Sequence, residues 1–255
     1  MLMLFSAFKE EDCFVPELPV IDLHTHVLPK MDDGSKSSEM SLDMLHAMHA
    51  QGTDIAVASP HYYARHESIE RFLERREHSL DRLHQVLDDN CPQVLTGAEV
   101  AFFFGIEEVP ELDQLCIGQS RTLLLEMPFA AWGDYELHAV SSLCLDRGFQ
   151  VVLAHIERFV SFQKGSDTAE RILTLPVYLQ INAETLLPLL SRGRWLQMFE
   201  QGRAQLLGSD AHNLTSRAPN TGKAREVIKK KLGSAALQRI DTYASKLILG
   251  TSEKP

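Results

Sequence analysis

Val20-Ile21-Asp22-Leu23-His24-Thr25-His26 is an apolar, strand-like run that ends on two imidazoles. Six further runs end in the same manner. Ile55-Ala56-Val57-Ala58 leads into Ser59-Pro60-His61, residues 93–98 into Glu99, and Thr122-Leu123-Leu124-Leu125 into Glu126. Val151-Val152-Leu153-Ala154 leads into His155, Tyr178-Leu179-Gln180-Ile181 into Asn182, and residues 205–209 into Asp210-Ala211-His212. One strand that stops on a polar residue means little. Seven in succession, separated by helix-like stretches, predict parallel strands joined by helical crossovers, with a site at their carboxyl ends. Runs apolar along their whole length imply burial on both faces. The expected architecture is a closed or nearly closed (β/α)7 TIM-like barrel. An open doubly wound sheet is the competing arrangement, but no Gly-rich phosphate fingerprint is present.

The intervening segments read as helices. Ser37 or Ser38 can cap a helix whose apolar face is Met40, Met44, Leu45 and Met48, closed by Gly52. Ile69, Phe72, Leu73, Leu80, Leu83 and Leu87 follow helical spacing opposite a charged face. A third helix is expected over residues 134–146, ended by Gly148, and two closing helices over 223–232 and 235–249. Residues 1–19 read as an N-terminal extension, 20–250 as a single barrel domain and 251–255 as a tail.

The chain has 255 residues, 44% of them hydrophobic, enough for a full core in one domain. Its 25 basic and 35 acidic side chains leave a net charge of −10, which counts against gripping a long polyanion such as a nucleic acid. Cys13, Cys91, Cys116 and Cys144 are scattered without a CxxC pair, as expected of free thiols in a reducing compartment. Residues 1–8 are apolar, but too short and too closely followed by Lys9, Glu10, Glu11 and Asp12 to read as a secretory signal. No segment has the length of a membrane span. These features predict a cytoplasmic protein without membrane insertion.

His24 and His26, two residues apart on an extended strand, point to the same side and can reach one ion. Asp33 follows in a turn-like loop, and His61, Glu99, Glu126, His155, Asp210 and His212 complete nine candidate ligands. Nitrogen and oxygen donors without thiolate suit manganese, iron or zinc. Nine donors exceed one ion and suit two or three. Taken singly, each could be an ordinary capping or hydrogen-bonding residue; their joint placement at strand ends is what argues for a site. Asp22 and Asp32 read as supporting or loop residues. His46, His49, His66, His78, His84 and His138 read as ordinary residues of helices and loops.

These residues resemble the polymerase-and-histidinol-phosphatase (PHP) superfamily, and within it the CpsB/YwqE-like bacterial protein-tyrosine phosphatases of capsular and exopolysaccharide loci. The resemblance is carried by Ile21-Asp22-Leu23-His24-Thr25-His26-Val27-Leu28-Pro29, Asp32-Asp33-Gly34-Ser35, Ala58-Ser59-Pro60-His61, Gly97-Ala98-Glu99 and Leu125-Glu126-Met127-Pro128. It continues through residues 154–159 and 180–183 to Ser209-Asp210-Ala211-His212-Asn213, with Arg217 beyond. The resemblance implies a distorted (β/α)7 barrel of the PHP type with three metal positions. The first would use His24, His26, Glu99 and Asp210. The second would share Glu99 and add Glu126 and His155, and the third would use Asp33, His61 and His212. It further implies manganese, phosphate binding by Arg158 and Arg217, and as substrate the tyrosine-rich tail of a bacterial tyrosine kinase that controls polysaccharide synthesis. Ile156 stands where relatives often carry Pro, and Tyr62 where a second His is frequent.

The chemistry expected of such a site is hydrolysis of a phosphate monoester by a metal-bound hydroxide, with the arginine forks holding phosphoryl oxygens. For the arginines alone, the plain alternative is a surface salt bridge. A small-molecule phosphatase acting on a substrate such as histidinol phosphate, a PHP-type nuclease, and a metal-stabilised binding module are the competing functions. A cysteine-based phosphatase fails on spacing, since Cys116 and Arg121 stand one residue too close.

Overall fold

Among the described residues every strand pair is parallel, and serine hydroxyls start the first two long crossover helices. The computed structural model describes residues 18–165 and 167–250. Most of the expected N-terminal extension, with Cys13, and the tail at 251–255 lie outside the described residues. The first strand, β1 (Ile21–Thr25), is followed by α1 (Ser38–His49), where the Ser37 hydroxyl accepts from Met40 N and caps the helix. Then come β2 (Ile55–Ala58), β3 (His61–Tyr62), α2 (Ile69–His84), capped by Ser68, β4 (Gln93–Thr96) and β5 (Glu99–Ala101). After β6 (Thr122–Glu126), α3 (Asp134–Ser141) runs on into a π turn at Ser142–Asp146. The chain continues through β7 (Gln150–Leu153), α4 (Thr168–Ile172), β8 (Tyr178–Asn182), α5 (Arg192–Glu200) and β9 (Leu206–Gly208). It closes with α6 (Thr221–Leu232) and α7 (Ser234–Leu249).

The strands form a curled parallel sheet in two ladders, β1-β2-β4 and β3-β5-β6-β7-β8-β9. The last strand returns beside the first. Asp210 N donates to His24 O at 2.8 Å and His26 N to Ala211 O at 2.9 Å. Two expected strand ends are instead strand beginnings. His61 opens β3 and Glu99 opens β5, each after a break at Ser59-Pro60 or Gly97-Ala98. Pro60 has no N–H to give a ladder, and a Cβ on Gly97 would meet the Ile117 side chain at 3.0 Å, so the chain there passes close against its neighbour.

Two apolar clusters sandwich the sheet. The larger lies between its outer face and the helices, and includes Met44, Leu45, Phe72, Leu123, Leu125 and Ile228. The smaller lies on the concave side, where Ile21, Leu23, Val57, Leu124, Val152 and Leu206 meet Ala244, Leu247 and Ile248 of α7. The concave side is therefore dry below and polar above. The amphipathic α7 is what keeps the lower part dry.

Leu247 is 2% exposed, and its carbonyl accepts from Thr122 Oγ1 at 2.7 Å. Leu247→Ala should cost roughly 2–5 kcal/mol, as for other buried leucine truncations. Urea unfolding of wild type and variant checks this.

Candidate metal centre

All nine donors expected from the sequence gather at the carboxyl edge of the sheet. The pairing of β1 with β2 is in step at Asp22↔Ala56 and at Thr25↔Ala58, so Leu23 and His24 together face one residue, Val57. This slip lets Leu23 join the apolar cluster while His24 and His26 both turn to the polar one. His155 (φ 30°) and Asp210 (φ 53°) take left-handed backbone at the ends of their strands. Such conformations cost of order 1–3 kcal/mol and concentrate at functional sites. A Cβ on Gly34 would lie 2.3 Å from His26 O, so the loop carrying Asp33 closes against β1 only through that glycine.

Glu99 is fully buried at the centre. Its Oε2 lies 2.9 Å from His61 Nδ1, 3.2 Å from His24 Nε2 and 3.3 Å from His26 Nε2, and its Oε1 lies 2.6 Å from His155 Nε2. Asp210 Oδ1 is 3.6 Å from His24 Nε2 and 3.4 Å from His26 Nε2. Glu126 Oε1 is 3.5 Å from His155 Nε2, and Asp33 Oδ1 is 3.3 Å from His212 Nε2 and 3.5 Å from His61 Nε2. Donor atoms fall into mutually close groups: His24, His26 and Glu99; His24, His155 and Asp210; His61, Glu99 and Glu126; and His26, Asp33, His61 and His212. Eight of the nine donors are largely buried; Asp33, at 63%, is the exposed one.

Two residues behind these donors set which imidazole nitrogens carry lone pairs. The backbone N–H of His155 donates to Gln180 Oε1 at 2.8 Å, so Gln180 Nε2 must donate, and does, to Asn182 Oδ1 at 2.8 Å. Asn182 Nδ2 in turn donates to Asp210 Oδ2 at 2.9 Å. Gln180 Oε1 can therefore only accept from His24 Nδ1, 3.1 Å away. Asp32 Oδ2 likewise takes the Nδ1–H of His26 at 2.7 Å. In the neutral rings both Nε2 atoms are acceptors, and they stand 3.2 Å apart facing carboxylates. Glu99 Oε2, His61 Nδ1 and His212 Nε2 are buried without a partner in hydrogen-bonding alignment. Convergent, unpartnered acceptors demand positive charge, which protons or divalent cations supply. The residues present fit a bound metal.

The electrostatics carry the same demand. Burial opposes charge on His26, yet Asp32, Asp210 and Glu99 raise its pKa well above the ordinary value. Burial likewise opposes charge on His24, and Glu99 and Asp210 raise it. Burial and the neighbouring His26 lower His212 to about 4. Burial, with the charge of Glu99 beside it, raises Glu126 to about 7.

Arg158 and Arg217 reach the rim of the cluster. Arg158 Nη2 pairs with Asp210 Oδ2, and Arg217 Nη2 with Asp210 Oδ1 at 2.8 Å, so both oxygens of one candidate ligand face a guanidinium. They are 35% and 31% exposed. Glu157, next to Arg158 in the chain, accepts at its Oε1 from Asn182 N and Thr185 Oγ1. Asp22 binds Ser209 N and Thr221 Oγ1, each at 2.9 Å, tying β1 to β9 and α6.

Sequence reasoning passed over Gln180 and Tyr63. The Gln180 signal was a polar residue inside an otherwise apolar buried strand. Tyr63 stacks on His61 with ring centroids 5.3 Å apart, and burial with nearby Glu126 and Glu99 pushes its phenol up to about 12. Its neighbour Tyr62 packs instead on Phe72. Cys116 is buried, and burial pushes its thiol up to about 12, which makes it a poor nucleophile. A separate group of His46, Asp88 and Cys91 lies at the surface, where His46 Nε2 and Asp88 Oδ1 form an ion pair at 2.9 Å.

The fold and site define a parallel α/β protein with a candidate metal centre on the carboxyl edge of its curled sheet. The model of the capsular polysaccharide synthesis family CpsB/CapC matches residues 20–250, and the chain belongs to that family. Tyrosine-protein phosphatase CpsB of Streptococcus pneumoniae is 29% identical over 233 residues, covering 84% of this chain and 92% of that protein. Tyrosine-protein phosphatase YwqE of Bacillus subtilis (strain 168) is 27% identical over 221 residues, covering 84% and 86%. A solved structure described as YwqE from Bacillus subtilis and CpsB from Streptococcus pneumoniae, unique metal-dependent tyrosine phosphatases, aligns with a TM-score of 0.78 at 25% identity. It covers 91% of this chain and 96% of that one.

The Glu126 carboxyl, at about 7, stands above its ordinary 4.5. Between those values the folded chain holds a proton that the unfolded chain has released, so this contribution to stability is full below 4.5 and lost as pH rises through 7. In metal-stripped protein, Glu126→Gln should melt higher than wild type at pH 8, the two converging near the acid end of that window. Thermal melts across that pH range check the sign.

Proposed function

We propose that this chain is a metal-dependent protein-tyrosine phosphatase. The observation that carries the reading is the convergence of nine nitrogen and oxygen donor residues with Glu99 at their centre, together with buried polar atoms that lack hydrogen-bonding partners. Membership of a family whose relatives are named tyrosine-protein phosphatases supplies the substrate class. We take β2 with β3, and β4 with β5, as single strands interrupted at Pro60 and Gly97. Residues 20–250 then form one domain, a distorted (β/α)7 barrel of the PHP type.

His24, His26, Glu99 and Asp210 would hold one ion, Glu99, Glu126 and His155 a second, and Asp33, His61 and His212 a third. Manganese is the proposed working metal, since the set offers imidazole and carboxylate but no thiolate; iron and zinc accept the same donors. Bound divalent ions would neutralise the phosphoryl charge and bring the pKa of water towards neutrality. The chain's own residues supply the rest. Gln180 and Asp32 keep the Nε2 lone pairs of His24 and His26 directed inward. Arg158 and Arg217, still a third exposed, present N–H groups to phosphoryl oxygens. The leaving phenolate has a pKa of about 10 and needs little help from an acid.

The proposed substrate is the phosphotyrosine-bearing tail of a bacterial tyrosine kinase that regulates polysaccharide synthesis, met in the cytoplasm. Among the described residues, no helix is long and apolar enough to cross a membrane.

Hydrolysis of a phosphotyrosine peptide should vanish on metal stripping and return with Mn²⁺, while histidinol phosphate run alongside stays slow. Restored activity on histidinol phosphate alone would move the function to small-molecule metabolism. Arg158→Ala and Arg217→Ala should each lower kcat/KM about 10²-fold, the cost of losing one donor to a developing oxyanion. Unchanged activity in both would remove them from phosphate binding. Gln180→Leu should weaken metal affinity about 10–100-fold, as for other residues that orient ligands from behind. Calorimetric titration of stripped protein with Mn²⁺ measures it.

A further inference from the structure

Two hollows open beside the metal centre, separated by Tyr63. One, of about 340 Å³, is walled in large part by Tyr63, Phe102, Phe103 and Phe129, with Arg65 and Glu126 also in its lining. Its walls are aromatic and suit a phenyl ring. The other, of about 480 Å³, shares Asp33 and His61 with the centre, and its lining also includes Asp32, Tyr63, His66, Glu67, Arg71 and Arg75. It is polar. The two differ in chemistry although they adjoin the same cluster.

The carboxylates of the polar hollow already have partners. Asp32 is taken by His26, Asp33 faces His61, His212 and Arg217, and Glu67 pairs with Arg75. Arg75 is further held by Met31 O at 2.5 Å. Arg71 differs. It is exposed, and its guanidinium makes no ion pair or hydrogen bond among the described residues. It also stands in the first turn of α2, where its backbone N–H donates to the capping Ser68 hydroxyl and where the helix dipole disfavours a cation. A cation held without a partner beside a phosphate-binding centre is placed to meet an anion brought in by the substrate.

We propose that this hollow is a specificity subsite, in which Arg71 receives a carboxylate side chain adjacent to the phosphotyrosine of a polypeptide substrate. The tyrosyl ring occupies the aromatic hollow, and Tyr63 stands between the ring and its acidic neighbour. His66, whose ring lies 5.4 Å from that of Tyr63, borders the same subsite. The inference rests on the phosphatase reading above and adds to it a sequence preference.

The experiment compares kcat/KM for three phosphotyrosine peptides that differ only in flanking residues, Glu, Gln or Lys, with free O-phosphotyrosine as the reference substrate. The Mn²⁺-loaded wild type should favour the Glu peptide over the Gln peptide by about threefold to tenfold, and the Lys peptide least. That scale is expected of one exposed ion pair with some steering, and it should shrink at high salt. Arg71→Ala should level the three peptides, and Arg71→Glu should reverse their order in favour of Lys. Arg71 is at the surface, and matched thermal melts confirm that both variants fold. Turnover of free phosphotyrosine without discrimination among peptides would overturn the subsite while leaving the phosphatase reading intact. Discrimination that persists in both variants would overturn the role of Arg71. No turnover of any phosphotyrosine substrate would overturn the phosphatase reading itself, and the subsite with it.

Discussion

The buried carboxylate of Glu99 is the constraint on which the rest of the structure depends. It has no exposed surface, and imidazole nitrogens of His24, His26, His61 and His155 surround it at 2.6–3.3 Å. An ionised carboxylate out of water costs several kcal/mol unless opposing charge compensates it closely. That compensation comes from the ends of three strands, β1, β3 and β7, and meets a carboxylate carried by β5, so the strands cannot slide without exposing an uncompensated charge. The one-residue slip in β1 and the breaks at Pro60 and Gly97 are local irregularities through which the donors reach a common point. The left-handed backbone at His155 and Asp210 has the same consequence. Regular alternation would send some of these side chains to the wrong face.

Below this polar belt the concave side is sealed by α7, and the separation matters for chemistry. Apolar packing excludes water from beneath the donors, and low local polarity strengthens every charge interaction above it. Behind the donors, hydrogen bonds run from Asp210 through Asn182 and Gln180 to His24, and every orientation along the path follows from an unambiguous donor at one end and a carboxylate at the other. Donors fixed in this way need no rearrangement when charge develops nearby, which is where preorganised sites gain most.

The arrangement also explains why Cys116 is a spectator. Cys116 lies near Arg121 in sequence, but it is buried and its pKa is raised, the reverse of what a thiolate nucleophile requires. The groups able to act on a phosphate ester are confined to the opposite chemistry: hard oxygen and imidazole donors, and two guanidinium groups sharing the oxygens of Asp210. Kinship with proteins named tyrosine-protein phosphatases fits that division.

Much of the architecture could be read from the chain. Apolar runs ending in ligand-type residues, Ser37 as a cap, and the apolar face of α2 all depend on neighbours a few residues away, and those patterns survive folding. The nine candidate donors were legible for the same reason. What the sequence, read by composition and spacing apart from the family resemblance, could not express is which candidate donors meet. Pairing His61 and His155 with Glu99 brings together residues 38 and 56 positions apart, and such contacts depend on strand register. Nor could it show that Gln180 sets the tautomer of His24, since that rests on hydrogen bonds donated by a backbone group on another strand. Tyr62 and Tyr63 are adjacent and chemically alike, yet one packs in the core and the other faces the site. Composition and local spacing alone marked the candidate donors and the parallel α/β plan. Only tertiary structure decided their grouping, because register and close approach are properties of several strands at once.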